Sequence, residues 1–533
     1  MGIFAANVLT LGNMSWYPSC ICICRLRRLC MLPCVWVSRF HSLVAAIMIL
    51  LLFQATTCDA LFAIKWPAAN QQPTASSTLM GWRTVLANSV SAYGKPPGTG
   101  AGVLKRLVVG NAQNAAAQPS IRYCHSMVSL PDGSFVVSHG YFYDSTAKGG
   151  GAPAWLSDTW RYAPAGTTAA SRQGGEGWAR LHIGDTEDNL ERNLPVGRYG
   201  HVAAVADNGA TMLLHGGTDG GHRLRSAGIN GFQPGYELDD LWTFDLVNRV
   251  WRAVPRGGDA WPTKRYLHTL VRASDDAFWM YGGLDVASDD ALWRLVRDVE
   301  ANGGWRWERA SAAAVSDSGG PGQRYGHAAV SDGRGGMMLF GGRTGGVSMG
   351  STVTNDLWHL DATKMQWHLL GPPPTGTGGG AIWPGKRIYA AASALVMPRV
   401  GGGDDGGGDD VALLVHGGSS EIPRVRCQNE TWLWHPHGGS RAGRWMRLPS
   451  SPLPTYHHTI VTAWVSPGRT KARPGDDDVA PGGGIAAAFT FGGHACVGHV
   501  EQHGYYYYNS VERLDIGPLH NDAHVKEHDD AGL

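Results

Sequence analysis

The sequence predicts an all-β fold: a six-bladed β-propeller of four-stranded antiparallel blades, its last blade closed by an N-terminal strand near Trp82. Three observations predict it. A block that opens Arg-Tyr-Gly-His and ends on a Gly pair recurs along the chain, and a Trp-bearing pair of segments follows each copy. The final copy lacks its closing Trp, while a Trp in the same context, in GWRTVLA at Gly81 to Ala87, stands near the N-terminus with no first three strands ahead of it.

The block is clearest as RYGHAAVSDGRGGMMLFGG, Arg324 to Gly342, and returns from Arg198 to Gly217 and from Arg265 to Gly283. Each copy is two short apolar runs joined by a turn rich in Asp, Asn and Gly, the pattern of a β-hairpin. A Gly pair after the second run suits a backbone that takes positive φ or passes close to another segment, because Gly has no Cβ to clash. Downstream come DDLWTFDL at Asp239 to Leu246, DDALWRL at Asp289 to Leu295 and NDLWHLD at Asn355 to Asp361, and then a Trp at Trp251, at Trp305 or Trp307, and at Trp367. That makes four strands per unit.

Weaker copies complete the set. One starts at Arg122, with its Gly pair reduced to His139 and Gly140, and runs to Trp178; another starts at Arg387 and runs to Trp445. The last, from Tyr456, ends with NSVERLDI at Asn509 to Ile516. If the segment around Trp82 supplies its fourth strand, six units close into a ring and no sticky edge strand is left.

With unit starts about 60 to 75 residues apart, beyond the roughly 50 typical of such blades, the surplus falls in loops. The chain resembles the kelch-repeat β-propeller family over about Gly81 to Ile516, through the Gly pair, the following Trp segments and their order. It departs from the pattern at His139, at Ala390 where other copies have His, and at Thr455 in place of the opening Arg. The resemblance implies that loops after the Gly pairs and loops between units share one face. This chain lengthens those loops most, at Thr218 to Glu237, Arg343 to Thr354, Gly371 to Gly385 and His494 to Asn509.

Composition excludes several rivals. Net charge is +1 and charged residues are 17% of the chain, so no basic excess holds a phosphate backbone and nucleic acid is not an expected partner. Nine of 45 basic residues are Lys, a bias toward Arg, whose rigid fork suits carboxylates. Arg122, Arg198, Arg265, Arg324 and Arg387 are the candidate binding residues, open to carboxylates of a protein or a sugar acid. The competing expectation is that each pairs with an Asp of a neighbouring blade, such as Asp240 or Asp290, and staples the ring. His125, His201, His268, His327 and His458 are expected to be hydrogen-bonded structural residues.

The N-terminus reads as an address. Leu43 to Phe53 is an apolar run preceded by Arg25, Arg27, Arg28 and Arg39 and followed by ATTCDA at Ala55 to Ala60. A core this short suits a signal peptide better than a membrane span of about 20 residues. Residues 1–60 are therefore expected to be a signal peptide or signal anchor, with translation from Met31 giving a signal of ordinary proportions. Residues 61–78 read as a linker, 79–517 as the propeller and 518–533 as a His-rich, disordered tail. Six of nine Cys lie at or before Cys58, leaving Cys124, Cys427 and Cys496. Cys427 and Cys496 each follow a Gly pair in neighbouring units and are the candidate disulfide, with buried free thiols as the alternative. Asn429, in Asn-Glu-Thr, is the candidate glycosylation site. The Asp–Gly runs at 401–410 and 474–484 fall in turns and cannot pack a core.

Enzymatic readings are weaker. GVSMG at Gly346 to Gly350 matches a nucleophile motif but sits in a Gly-rich loop between strands, where no tight strand-to-helix turn presents Ser348. His494, Cys496, His499, Glu501 and His503 carry metal-binding chemistry without a spacing that fixes a geometry. Some kelch proteins are copper oxidases with Tyr and His ligands, but in the run Tyr505 to Tyr508 alternate rings face opposite sides. The resulting expectation is a monomeric, cofactor-free binding scaffold in the secretory pathway, extracellular or membrane-anchored through its N-terminus, with a protein or carbohydrate partner. The alternatives are a metal-dependent oxidase-like enzyme built on the His494–His503 loop, and an intracellular adaptor if the N-terminus is a gene-model artefact.

Overall fold

Strand burial here follows position in a sheet stacked on both sides. The second strand of a unit, such as Ala277–Tyr281, is buried at every residue, whereas the fourth, such as Val250–Val254, exposes Val250 and Arg252 on either side of the buried Trp251. Two-sided burial selects continuous apolar runs and an outer edge selects alternation. The computed structural model describes residues 81–86, 90–93, 118–144, 152–165, 176–183, 193–220, 236–257, 260–285, 292–298, 300, 304–310, 320–345, 351–372, 382–397, 410–420, 426–436, 443–452, 454–465, 485–496 and 505–516. The expected signal segment, linker and tail, and the Asp–Gly runs apart from Asp410, lie outside them.

Six antiparallel sheets follow one another. Blade 1 is Ser126–Ser129, Phe135–Asp144, Ala152–Ala163 and Gly177–His182; blade 2 is Val202–Ala206, Thr211–His215, Leu241–Asp245 and Val250–Val254. Blade 3 is Thr269–Ser274, Ala277–Tyr281, Leu292–Arg297 and Trp305–Ala310, and blade 4 is Ala328–Ser331, Met337–Thr344, Val353–Asp361 and Gln366–Gly371. Blade 5 is Ala391–Met397, Asp410–His416, Thr431–Pro436 and Gly443–Leu448. Blade 6 takes Thr459–Val465, Ile485–Phe491 and Val511–Asp515 from the end of the chain and Trp82–Leu86 from its start. Trp82 faces Leu514 in that closing register. A second N-terminal strand, Val90–Tyr93, pairs with Tyr505–Tyr508, which the sequence reading did not anticipate.

Six apolar clusters fill the seams between neighbouring blades. The closing seam joins Phe135, Val137 and Tyr162 of blade 1 to Val461, Phe489 and Val511 of blade 6, and each large side chain fully buried there contributes about 1.5–3 kcal/mol. The fourth-strand Trp has one job in every seam. Trp307, Trp367, Trp445 and Trp178 lie 4.9, 5.3, 5.2 and 5.0 Å from His215, Tyr281, Phe340 and Phe491, the residues before the preceding blade's Gly pair. Trp82 does the same against His416 at 4.8 Å. In the seam before blade 2, where the Gly pair is altered, Trp251 lies 5.6 Å from His139 itself.

Candidate binding face at the channel mouth

The residues that open each unit divide the work of building the ring. Arg122, Arg198, Arg265, Arg324 and Arg387 are at most 1% exposed. Each Nη1 donates to the carbonyl at the first position of its own blade's Gly pair, at 2.9–3.1 Å: His139, Gly216, Gly282, Gly341 and Gly417 respectively. Arg324 also grips Asp356 with both terminal nitrogens, at 2.9 and 2.8 Å. Arg122 holds Asp158 and Arg198 holds Asp240 in the same bidentate way, and Arg387 reaches Glu430 at 3.1 Å.

A Trp indole N–H donates to each of these carboxylates as well, from Trp160, Trp242, Trp358 and Trp432. Burial pushes the Asp240 carboxyl up, but the Arg198 charge and hydrogen bonds outweigh it and hold the pKa at about 2. The expectation of pairing with a neighbouring blade needs correction. Each of these four Arg–carboxylate pairs lies within one blade, from the opening ahead of the first strand to the third strand or the residue just before it. Asp290 lies outside the described residues; Arg265 donates to Thr263 Oγ1 at 2.7 Å.

The third position of the opening takes positive φ in all six units: Cys124 (48°), Gly200 (65°), Leu267 (59°), Gly326 (60°), Tyr389 (59°) and His457 (57°). Their backbones join head to tail around the axis. Gly200 N–H donates to the Cys124 carbonyl (2.9 Å), Leu267 to Gly200 (2.7 Å), Gly326 to Leu267 (3.0 Å), Tyr389 to Gly326 (2.8 Å), His457 to Tyr389 (3.3 Å) and Cys124 to His457 (3.1 Å). A second closed circuit runs outside it. The second Gly of each pair donates to the residue opening the next unit, as Gly283 does to Arg324 at 2.9 Å and Gly493 to Arg122 at 2.9 Å.

Four of the five opening histidines bridge blades by hydrogen bonds, as expected of structural residues, and His458 does not. Nε2 of His125, His201 and His327 meets the hydroxyl of Thr459, Ser126 and Thr269 in the preceding blade at 2.7–2.9 Å. His268 meets His215 Nδ1 at 3.0 Å instead. His458 makes no such bond, and both its ring nitrogens are buried without partner.

A cavity of about 130 Å³ lies on the axis, walled by the six positive-φ residues and the His side chains. Around its mouth runs an aromatic collar. Tyr123 lies 5.1 Å from Tyr141, Tyr141 5.5 Å from Tyr199, and Tyr199 6.2 Å from Tyr266. Tyr389 lies 3.9 Å from His457, which is 5.9 Å from Tyr123. Tyr123, Tyr199, Tyr266, Tyr389 and His457 are half-buried. The second residue of each opening, Tyr in five units and Ile388 in the fifth, pairs with the residue just after its Gly pair, as Tyr199 does with Thr218 and Tyr325 with Arg343. The collar therefore sits at the base of the long loops. Burial raises the Tyr199 and Tyr389 hydroxyls above the usual phenol range, so they are neutral donors. Sequence reasoning passed over this collar; the Tyr that follows Arg122, Arg198, Arg265 and Arg324 was the signal for part of it, while Tyr389 and His457 stand at the third position of their openings.

A family model for the kelch-repeat domain of KLHDC2, KLHL20 and DRC7 matches residues 227–412. Together with six blades in a closed ring, that decides the family. The chain is a kelch-repeat β-propeller. Over 108 residues it is 39% identical to multiple epidermal growth factor-like domains protein 8 of Mus musculus, a stretch that is 20% of this chain and 4% of that protein. Over 193 residues it is 29% identical to serine/threonine-protein phosphatase BSL2 of Arabidopsis thaliana, 35% of this chain and 17% of that protein. The match thus spans a small part of either relative. A solved structure, that of YjhT, superposes with TM-score 0.43 and 12% identity, covering 74% of this chain and 96% of that one.

Other predicted residues of the kelch ring take these places. Cys427 is disulfide-bonded and Cys124 is free; the Cys496 side chain lies outside the described residues. Asn429 is half-buried, and its Nδ2 donates to the Ser451 carbonyl at 2.8 Å, as Asn355 Nδ2 does to Pro384 at 2.9 Å one blade earlier. His494 is buried in the collar, 3.9 Å from Tyr123, while 497–504 lie outside the described residues. Among the described residues no three His, Cys, Asp or Glu side chains converge as metal ligands, and no helix is long and apolar enough to cross a membrane.

Proposed function

We propose that this kelch ring is a non-catalytic scaffold that binds a protein or glycan partner in the secretory pathway, through the face that carries the long loops. The aromatic collar carries the reading. Half-buried Tyr rings around a concave mouth offer large contact area with little side-chain entropy to lose, and their hydroxyls supply hydrogen bonds. Loops grafted on a rigid ring are where binding residues concentrate. The five arginines support this face from beneath, since their guanidinium groups are engaged within the blades. A disulfide at Cys427 fits an oxidising compartment, and Cys496 on the next blade is its proposed partner.

Recovery of a partner by the full-length protein tests the surface. The double variant Tyr199→Ala/Tyr389→Ala is expected to lose it. Val247→Asp, at a 75% exposed turn between the third and fourth strands, is expected to keep it. Equal recovery by the collar variant and the wild type removes the collar from the function. Expression in a secreting cell tests the route: the disulfide and any glycan at Asn429 are read by mass spectrometry, and a chain retained in the cytosol overturns it.

A further inference from the structure

Five units fill the same internal socket with their own arginine; the sixth does not. At the opening Arg position stands Thr455. The carboxylate position is changed with it. Phe340 faces Leu357 in blade 4 and Phe491 faces Val511 in blade 6, so Ser510 occupies the place of Asp356, and Glu512 that of Trp358. A cavity of about 20 Å³ is left there, lined by Pro452, Thr455, His458, Gly492, Ser510 and Glu512 among others. That exceeds the room one ordered water needs.

The walls of this socket are those that hold a guanidinium elsewhere. Gly492 is the counterpart of Gly341, whose carbonyl accepts from Arg324 Nη1 at 2.9 Å. Pro452 precedes Thr455 by three residues, as Pro321 precedes Arg324, and the Pro321 carbonyl accepts from Arg324 Nε at 2.9 Å. Glu512 lies two residues beyond Ser510 on the same face of its strand, so a carboxylate still lines the site. His458 is 6% exposed, and both its ring nitrogens are without partner. The hydroxyl that a sister His finds in the preceding blade is replaced by Ala391. A buried polar ring left unpaired is costly, and a planar donor in the socket would satisfy it.

We propose that this sixth socket takes a guanidinium group supplied in trans. Arg offers five N–H donors in a rigid fork, which the carbonyl, carboxylate and imidazole acceptors here can divide, whereas Lys offers a point charge. The site is separate from the collar and does not depend on it.

Calorimetric titration of the full-length protein with Nα-acetyl-arginine amide, free L-arginine and Nα-acetyl-lysine amide tests this. Saturable binding of an arginine probe is expected, at least tenfold tighter than the lysine probe. Preference for the capped form assigns the guanidinium to a partner's side chain, and preference for free L-arginine assigns it to the amino acid; either supports the socket. The variant Thr455→Arg/Ser510→Asp fills the socket from within and is expected to abolish binding while raising the melting temperature. If that variant fails to fold, Thr455→Met blocks the same space without a new charge. No binding by the wild type, equal binding of lysine, or undiminished binding by a folded blocked variant overturns the proposal.

Discussion

The Trp82 indole lies 4.8 Å from the His416 imidazole and donates through Nε1 to the Pro449 carbonyl at 2.9 Å. Residues more than 330 positions apart thereby repeat the contact that Trp307 makes with His215 between consecutive blades. Replacing this indole leaves a void in the blade 5–blade 6 seam. Trp82→Ala is expected to cost about 3 kcal/mol, measured as a lowered urea midpoint at unchanged slope. A loss below about 1 kcal/mol would mean that the ring closes without this strand.

Arg324 is buried with Asp356, and breaking one side of such a pair leaves a charge in the interior. Arg324→Met is expected to destabilise by about 3–5 kcal/mol. Arg324→Met/Asp356→Leu is expected to recover a large part of that, because neither partner is then stranded. If the double variant is no more stable than the single, the carboxylate is not the reason for the loss.

The repeat was legible because covalent spacing records which residues recur. The Gly pairs, the fourth-strand Trp residues and the missing sixth Trp sufficed to place Trp82 beside Val511–Asp515. What spacing does not record is φ. The third position of the opening is Cys, Gly, Leu, Gly, Tyr and His in turn, so no residue type marks the backbone ring that ties the blades together. The arginines were legible as a set, but a charge in a loop looks like a binding residue until its burial is known. The recurring Asp two residues before a Trp, as at Asp158, Asp240 and Asp356, named the partner within the blade.

Gly282 shows what the Gly pair is for. Its φ is +67°, and a Cβ there would lie 2.4 Å from the Arg324 carbonyl oxygen and 2.8 Å from His327 Cε1. Both are held, the Arg324 carbonyl by the Gly283 N–H at 2.9 Å and the His327 ring by the Thr269 hydroxyl at 2.9 Å. Gly282→Ala is expected to cost more than about 2 kcal/mol, the left-handed backbone alone taking about 1. Blade 1 tolerates His139 at the matching position, with φ +55°; His139→Gly would relieve that backbone but remove the ring packed on Trp251 and hydrogen-bonded to Ser138, so it is expected to cost about 1–3 kcal/mol through the void it leaves. Thermal unfolding of both variants checks the pair, and an unperturbed Gly282→Ala would show that the seam can open locally.

The inter-blade histidines make the ring acid-sensitive. His201, His215, His327 and His458 are at most 6% exposed. Burial, joined at the first three by a nearby Arg charge, lowers each pKa to about 3, against about 6.5 in an unfolded chain. Between those values the unfolded state binds more protons, so stability is complete above pH 6.5 and is lost as pH falls toward 3. Each histidine contributes a slope of up to about 1.4 kcal/mol per pH unit in that window. Asp240, held at about 2 in the fold, adds a loss of the same sign below about pH 4. The urea midpoint is expected to be level from pH 8 to 7 and to fall steadily from pH 6.5 to 5, and His327→Gln is expected to reduce that slope by one proton's share. A midpoint that stays level down to pH 5 would mean that these rings meet water or protonate in place, and the seams would then not be as dry as their burial indicates.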